Sequence, residues 1–149
     1  MSEYTGLRAI RSLDFVIILC DDLAKMRDFY ADLFDFEIEF ETPGQNIGFR
    51  LGTLYFSLRP RGRTYDGEKT DKESASIQLS FRVPPADVDA AYETLKKKNI
   101  EVIEKPTNQD WHHRTLFFKD PENNILEIYA DIHPDDSAAT ENELHKIVK

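Results

Sequence analysis

A single cysteine, Cys20, and four histidines (His112, His113, His133 and His145) are all that 149 residues offer in strong nitrogen and sulfur ligands. One thiol excludes an internal disulfide and any zinc site that needs two thiolates. Positive charge is also short: 19 Lys and Arg stand against 28 Asp and Glu, a formal net charge of −9. A phosphate backbone asks for a basic face, so nucleic acid is a poor partner. The one long apolar run, residues 15–20, is far too short to span a bilayer, so no membrane partner is expected. The opening MSEYTGLRAIR has neither an apolar core nor a cleavage signal, and a cytoplasmic location is expected. No Gly-rich phosphate loop and no Gly-x-Ser-x-Gly elbow occurs. What is present is 40% hydrophobic residues, enough for one domain with a core or two small halves.

Residues 16–20 are apolar and end at Asp21-Asp22, the pattern of a strand running into a helix. Asp22 is the expected N-cap of a helix over 23–34, with Leu23, Met26, Phe29/Tyr30 and Leu33 on one face. Residues 36–40 alternate Phe36, Ile38 and Phe40 with Glu37 and Glu39, a half-buried strand. Pro43-Gly44 marks a turn, and 47–51 with 54–58 form a hairpin bent at Gly52-Thr53. Residues 59–74 hold Pro60, Gly62, Gly67 and nine charged residues and read as a solvated linker or mobile loop. The pattern then restarts. A strictly alternating strand over 77–83 breaks at Pro84-Pro85, and a helix over 86–98 buries Val88, Ala91/Tyr92 and Leu95. A short strand at 102–103 precedes Pro106, and strands over 114–119 and 125–130 flank the turn Asp120-Pro121-Glu122-Asn123-Asn124. Thr140 with Glu143 matches a capping box, giving a short C-terminal helix through Val148.

The order strand–helix–strand–strand–strand thus occurs twice. Sliding the first copy along until Phe15 meets Gln78 brings Phe29 onto Tyr92, the mark of a duplicated unit. Sorting each strand by its alternation leaves Gln78, Ser80 and Arg82 opposite the apolar row Ile77, Leu79, Phe81, Val83. Ile125, Glu127 and Tyr129 likewise oppose Leu126 and Ile128, and Tyr55, Ser57 and Arg59 oppose Leu54, Phe56 and Leu58. The first strand is apolar on both faces, so its second face is expected to be covered as well. If these rows meet, they line a half-apolar pocket suited to a small molecule.

At this point the residues resemble a known family. The stretch 13–36, LDFVIILCDDLAKMRDFYADLFDF, is similar to the first module of the vicinal oxygen chelate superfamily (glyoxalase I, bleomycin-resistance proteins, extradiol dioxygenases). The stretch 111–127, WHHRTLFFKDPENNILE, resembles that superfamily's last hairpin, where aspartate-proline and an asparagine turn precede a glutamate. The resemblance implies an α+β fold of two βαβββ modules forming a concave mixed sheet, completed in many members as a dimer, so a homodimer is expected. It gives one domain over 1–131, made of modules 12–59 and 76–131 joined by loop 60–75, and a C-terminal extension over 132–149 with the short helix. In metal-dependent members a divalent ion sits in the cup on three or four ligands. Carried over residue by residue, those positions are Phe15, Ser57, Gln78 and Glu127. Phenylalanine cannot bind a metal, serine and glutamine are weak neutral ligands, and only Glu127 is strong. A catalytic metal wants three protein ligands, so the usual site is expected to be broken and no cofactor is expected.

Each sharp reading has a bland one beside it. Glu127 is the one candidate catalytic group or a relic ligand, or else a buried acid satisfied by Gln78, Ser80 or Arg82. His112 and His113 are adjacent at a strand start, so at most one of them reaches the pocket. Trp111 is a stacking lid or a packing residue at a seam. Arg59, Arg61 and Arg63 form a basic cluster that holds an anionic group or is an ordinary loop interleaved with Asp66, Glu68, Asp71 and Glu73. The expected ligand-binding residues are Phe15, Tyr55, Ser57, Gln78, Ser80, Arg82, Trp111, Arg114, Glu127 and Tyr129. They point to a glyoxalase/bleomycin-resistance-like protein that binds a small organic ligand without the usual metal. The alternative is a divalent-metal-dependent lyase, isomerase or dioxygenase using Glu127, Gln78 and a further ligand; a structural dimer module is the third.

Overall fold

The computed structural model describes residues 4–136. The helix expected through Val148 lies outside the described residues. The chain divides into two compact units between Thr70 and Asp71, each a four-stranded mixed sheet with few helices. This is the duplicated order read from the repeat and the two-module α+β architecture that the resemblance implies. Among the described residues no helix is long and apolar enough to cross a membrane.

In the first unit, β1 (Phe15–Cys20) leads into α1 (Leu23–Asp28), and the Asp22 carboxylate caps that helix by accepting from the Lys25 amide at 3.1 Å. The helix does not run regularly to residue 34. It widens into a π-helical turn over Phe29–Leu33, which aligns residues five apart and sets the Phe29 and Phe34 rings edge to face at 5.8 Å. Then come β2 (Ile38–Thr42), β3 (Asn46–Leu51) and β4 (Leu54–Pro60), in the order β1-β4-β3-β2 with only the β1–β4 pair parallel. Leu51 faces Leu54 across a two-residue turn, for which Gly52 supplies a φ of 57°. Ile18, Ile47, Phe49, Phe56 and Leu58 are buried with Met26 and Tyr30 of the helical segment, and the Tyr30 ring meets Phe56 edge-on at 4.9 Å.

The alternation expected over 36–40 is interrupted. Ile38 pairs with Phe49 but Phe40 pairs with Gly48, two steps on one strand against one on the other, a β-bulge. Phe36 therefore packs inward, 5.9 Å from Phe49 and 6.5 Å from Phe56, while Phe40 lies over Gly48.

The second unit repeats the order. β5 (Gln78–Arg82) is followed by α2 (Pro85–Lys97), whose Pro85 sits in the first turn where no N–H partner is needed. β6 (Val102–Asn108), β7 (His113–Lys119) and β8 (Ile125–Asp131) complete a sheet ordered β5-β8-β7-β6, with β5 parallel to β8. Val88 and Leu95 are buried, as are Leu116, Phe118, Leu126 and Ile128. The strand expected to stop before Pro106 runs through it: β6 is an edge strand whose register slips between Val102 and Glu104 and again between Glu104 and Thr107, where a residue without an N–H is tolerated. The β7–β8 turn is built by Asp120, 4% exposed, whose carboxylate accepts from the amides of Glu122 (2.9 Å) and Asn124 (3.0 Å) and from Asn124 Nδ2 (2.9 Å).

The charged stretch after β4 is organised by one side chain. Asp66 accepts from Arg59 Nη1 and Nη2 at 2.9 and 2.7 Å and from the amides of Gly62 and Arg63 at 2.9 and 2.8 Å. Arg61 in turn donates to Asp21 at 3.2 Å. The Arg59 guanidinium, followed by the two backbone amides, holds the Asp66 carboxyl well below the usual carboxylate range. A carboxyl lowered on folding stabilises fully above its unfolded value near pH ~3.9, and the contribution fades as pH falls through the folded value. The Gly62 and Arg63 amides should thus stay protected from hydrogen exchange down to about pH 4 and open only in stronger acid. In Asp66→Ala they should be unprotected throughout, with no acid step; protection that survives the substitution would contradict this role.

Candidate functional site

Each sheet turns one face to its helix and leaves the other open. On the first, β1 presents Phe15 and Ile17, 44% and 50% exposed. The expectation that this second face is covered is not met among the described residues, because α1 lies on the opposite side. Phe15 stands across from Tyr55 in the parallel pair, and the two rings stack at 4.8 Å. Arg50, opposite Tyr55 on β3, lies 4.8 Å over the Tyr55 ring and donates from Nη2 to its hydroxyl at 2.6 Å. Phe40 extends the aromatic ledge, 6.5 Å from Phe15. Its ring occupies the space a side chain at Gly48 would take: a Cβ there would clash with Phe40 Cζ. Ser57 is buried, and its hydroxyl donates to the Ile47 carbonyl at 3.0 Å. Of the basic cluster, Arg59 pairs with Asp66, Arg61 reaches Asp21 at the end of β1, and Arg63 donates to the Tyr65 hydroxyl at 3.2 Å.

The open face of the second sheet is polar. Gln78 Nε2 donates to Ser80 Oγ at 3.4 Å, and Ser80 Oγ donates to Glu127 Oε1 at 2.6 Å. Glu127 itself is only 8% exposed. Arg82 does not reach Glu127. It ion-pairs with Asp131 and lies 5.0 Å over the Tyr129 ring. His113 stacks on Tyr129 at 4.6 Å and brings Nε2 to 3.2 Å from Asp131 Oδ1. Tyr129 thus stands between a guanidinium and an imidazole that share one carboxylate.

Two expected residues are placed elsewhere. Arg114 lies on the helix side, donating to Asp89 of α2 at 2.8 and 3.0 Å and to Asn108 at 2.8 Å. Antiparallel partners share a face; Thr115 pairs with Tyr129, so Arg114 must point the other way. Trp111, 56% exposed, sits in the β6–β7 loop and not on either sheet. His112 beside it holds a φ of 64°, unusual for a non-glycine residue. His113 and Asp131 were absent from the expected ligand-binding set. The signal was available: counting back from Lys119 opposite Ile125 puts His113 opposite Asp131.

With this geometry in place, the comparisons agree. The Glyoxalase/Bleomycin resistance protein/Dioxygenase superfamily matches residues 12–128, and the chain belongs to that superfamily. It is 27% identical over 123 residues to the glyoxalase domain-containing protein RDO1 of Mycosarcoma maydis, covering 80% of this chain and 68% of that protein. It is 22% identical over 121 residues to the metallothiol transferase FosB of Staphylococcus saprophyticus, covering 81% and 78%. A crystal structure of a glyoxalase/bleomycin resistance protein/dioxygenase from Nocardioides superposes with a TM-score of 0.71 at 18% identity, covering 83% of this chain and 85% of that one.

Metal-dependent members imply a divalent ion, and the residues here do not fit one. Phe15 has no donor atom, and the Ser57 hydroxyl is directed at a backbone carbonyl. Glu127 remains as the one strong ligand of the four, and among the described residues no three His, Cys, Asp or Glu side chains cluster as metal ligands do. The Glu127 carboxylate instead rests on the Ser80 hydroxyl. Ser80→Ala should lower stability by about 1.5–3 kcal/mol, the usual worth of a hydrogen bond to a charged group, while Ser80→Thr keeps most of it. Urea denaturation at neutral pH distinguishes the two; equal midpoints for Ala and wild type would remove Ser80 as the partner of Glu127.

Proposed function

We propose that this chain binds a small organic molecule on the open face of its first sheet, without a divalent metal. The observation that carries the reading is the Phe15–Tyr55 stack, an exposed ring on a half-buried one at the place where the resemblance puts a metal-binding histidine. Such a pair offers a flat apolar platform rather than a ligand atom. The open face of the second sheet, taken by itself, holds the pairs Ser80 with Glu127 and His113 with Asp131. The −9 net charge favours a ligand with a cationic group.

Two measurements test this. After stripping with chelator and readdition of nickel, zinc, manganese or iron, bound metal should stay well below one per chain. Tight stoichiometric binding that disappears in Glu127→Ala would overturn the metal-free reading in favour of a metal-dependent lyase, isomerase or dioxygenase. A thermal-shift screen should then find organic ligands that raise Tm, since binding to the native state alone stabilises it. Phe15→Ala and Tyr55→Ala should abolish that rise while the unliganded Tm changes little. Arg114→Ala, on the helix side, should leave the ligand-induced rise intact. Equal losses of rise and of unliganded Tm would assign the two rings to the core instead.

A further inference from the structure

On the open face of the second sheet, one carboxylate carries a charge that nothing beside it cancels. Glu127 is 8% exposed and has given up most of its hydration. The Ser80 hydroxyl donates to its Oε1 at 2.6 Å, and among the described residues no other hydrogen bond and no cation reaches the group. A carboxylate offers about four acceptor positions, and a hydroxyl fills one of them without bringing charge. Oε2 is not sealed off, because the one sealed side-chain atom without a partner among the described residues is Asn46 Oδ1. Water can donate to Oε2 but cannot neutralise it, and a buried charge without a counter-charge is costly.

The cations of this face stand elsewhere. Arg82 pairs with Asp131 and lies 5.0 Å over the Tyr129 ring. Lys119, the partner of Ile125 across the hairpin, shares the face but is in no ion pair among the described residues. Hydrogen-bond direction adds a second clue. Gln78 Nε2 donates to Ser80 Oγ at 3.4 Å, and Ser80 in turn donates to Glu127. The donors thus run toward the carboxylate and leave an acceptor at each end, Gln78 Oε1 and Glu127 Oε2. A matching group combines positive charge with N–H donors. A divalent ion would find one strong ligand and two weak neutral ones, whereas an N–H takes any oxygen lone pair. Beside the carboxylate the face turns apolar: Phe117 is its partner across the hairpin, and Ile125 and Tyr129 stand two residues before and after it, all three half-buried.

We propose that this face binds a primary ammonium group on an apolar body. The ammonium donates to Glu127 Oε2 and Gln78 Oε1, and the body lies against Phe117, Ile125 and Tyr129. The site belongs to the second sheet alone, so its failure would leave the reading of the first sheet untouched.

The test uses the full ¹⁵N-labelled chain at neutral pH and three probes that share a ring: benzylammonium, benzyl alcohol and benzyltrimethylammonium. Benzylammonium should shift the backbone amides of Ser80, Phe117 and Glu127 saturably. Benzyl alcohol has nearly the same shape without the charge, and benzyltrimethylammonium has the charge without an N–H. Each should bind there at least ten-fold more weakly. Glu127→Gln, which keeps the size of the side chain and an oxygen for Ser80, should weaken benzylammonium at least ten-fold with a dispersed, folded spectrum. Gln78→Leu, at an exposed position, should weaken it about ten-fold, the lower end for a hydrogen bond to a charged group. Shifts confined to Phe15 and Tyr55, equal binding of either other probe, or binding that survives both substitutions would each overturn the proposal. Binding that appears only in Lys119→Met would overturn it too, and would assign the carboxylate to that lysine.

Discussion

Each four-stranded sheet has two faces and only one helical segment to bury against. Because β1 runs parallel to β4, and β5 to β8, the chain must cross over between them, and the crossover places α1 or α2 on one side. The buried apolar residues gather on that side: Met26 and Tyr30 with Phe49 and Phe56 in the first unit, Val88 and Leu95 with Leu116 and Leu126 in the second. Among the described residues the opposite faces receive no helix. Their composition is therefore free of the demand to fill a core, and it is there that chemistry or binding can be carried.

The two faces have used that freedom differently. Identical strand orders underlie them, yet one carries the Phe15–Tyr55 stack with Phe40 beside it, and the other carries the Ser80–Glu127 hydrogen bond and the His113 imidazole beside the Asp131 carboxylate. Glu127 and Ser57 illustrate the contrast at matching strand positions. Ser57 turns to the backbone of its own sheet, whereas Glu127 is held by a side chain of the neighbouring strand. A duplicated framework thus presents two unlike surfaces, and belonging to the superfamily fixes the framework alone.

Much of the framework was legible in the sequence because periodicity, turn chemistry and the Asp22 cap act locally. The repeat, the Gly52-Thr53 hairpin and the Asp120–Asn124 turn all appear where those signals put them. The departures share a cause, which is that pairing partners are not local. The bulge that sends Phe36 and Phe40 to opposite faces exists only in the pairing of β2 with β3, and the passage of β6 through Pro106 depends on its edge position. Arg114 is the instructive case at the site. It was expected among the ligand-binding residues; the hairpin register, fixed by Lys119 opposite Ile125, turns it toward Asp89 and brings His113 forward instead. The long charged stretch hid its order for a different reason, since one carboxylate gathering Arg59, Gly62 and Arg63 leaves no periodic trace.

The ring of Phe40 lying where Gly48 has no side chain carries a consequence for how this surface can change over time. The two positions form a single unit of inheritance. A lineage that gains any side chain at 48 must first move or shrink the ring at 40, and one that loses the ring exposes bare backbone on β3 until 48 is filled. Descendants are expected to differ at both positions or at neither, so the pair records in two letters whether the aromatic ledge of the first sheet has been kept.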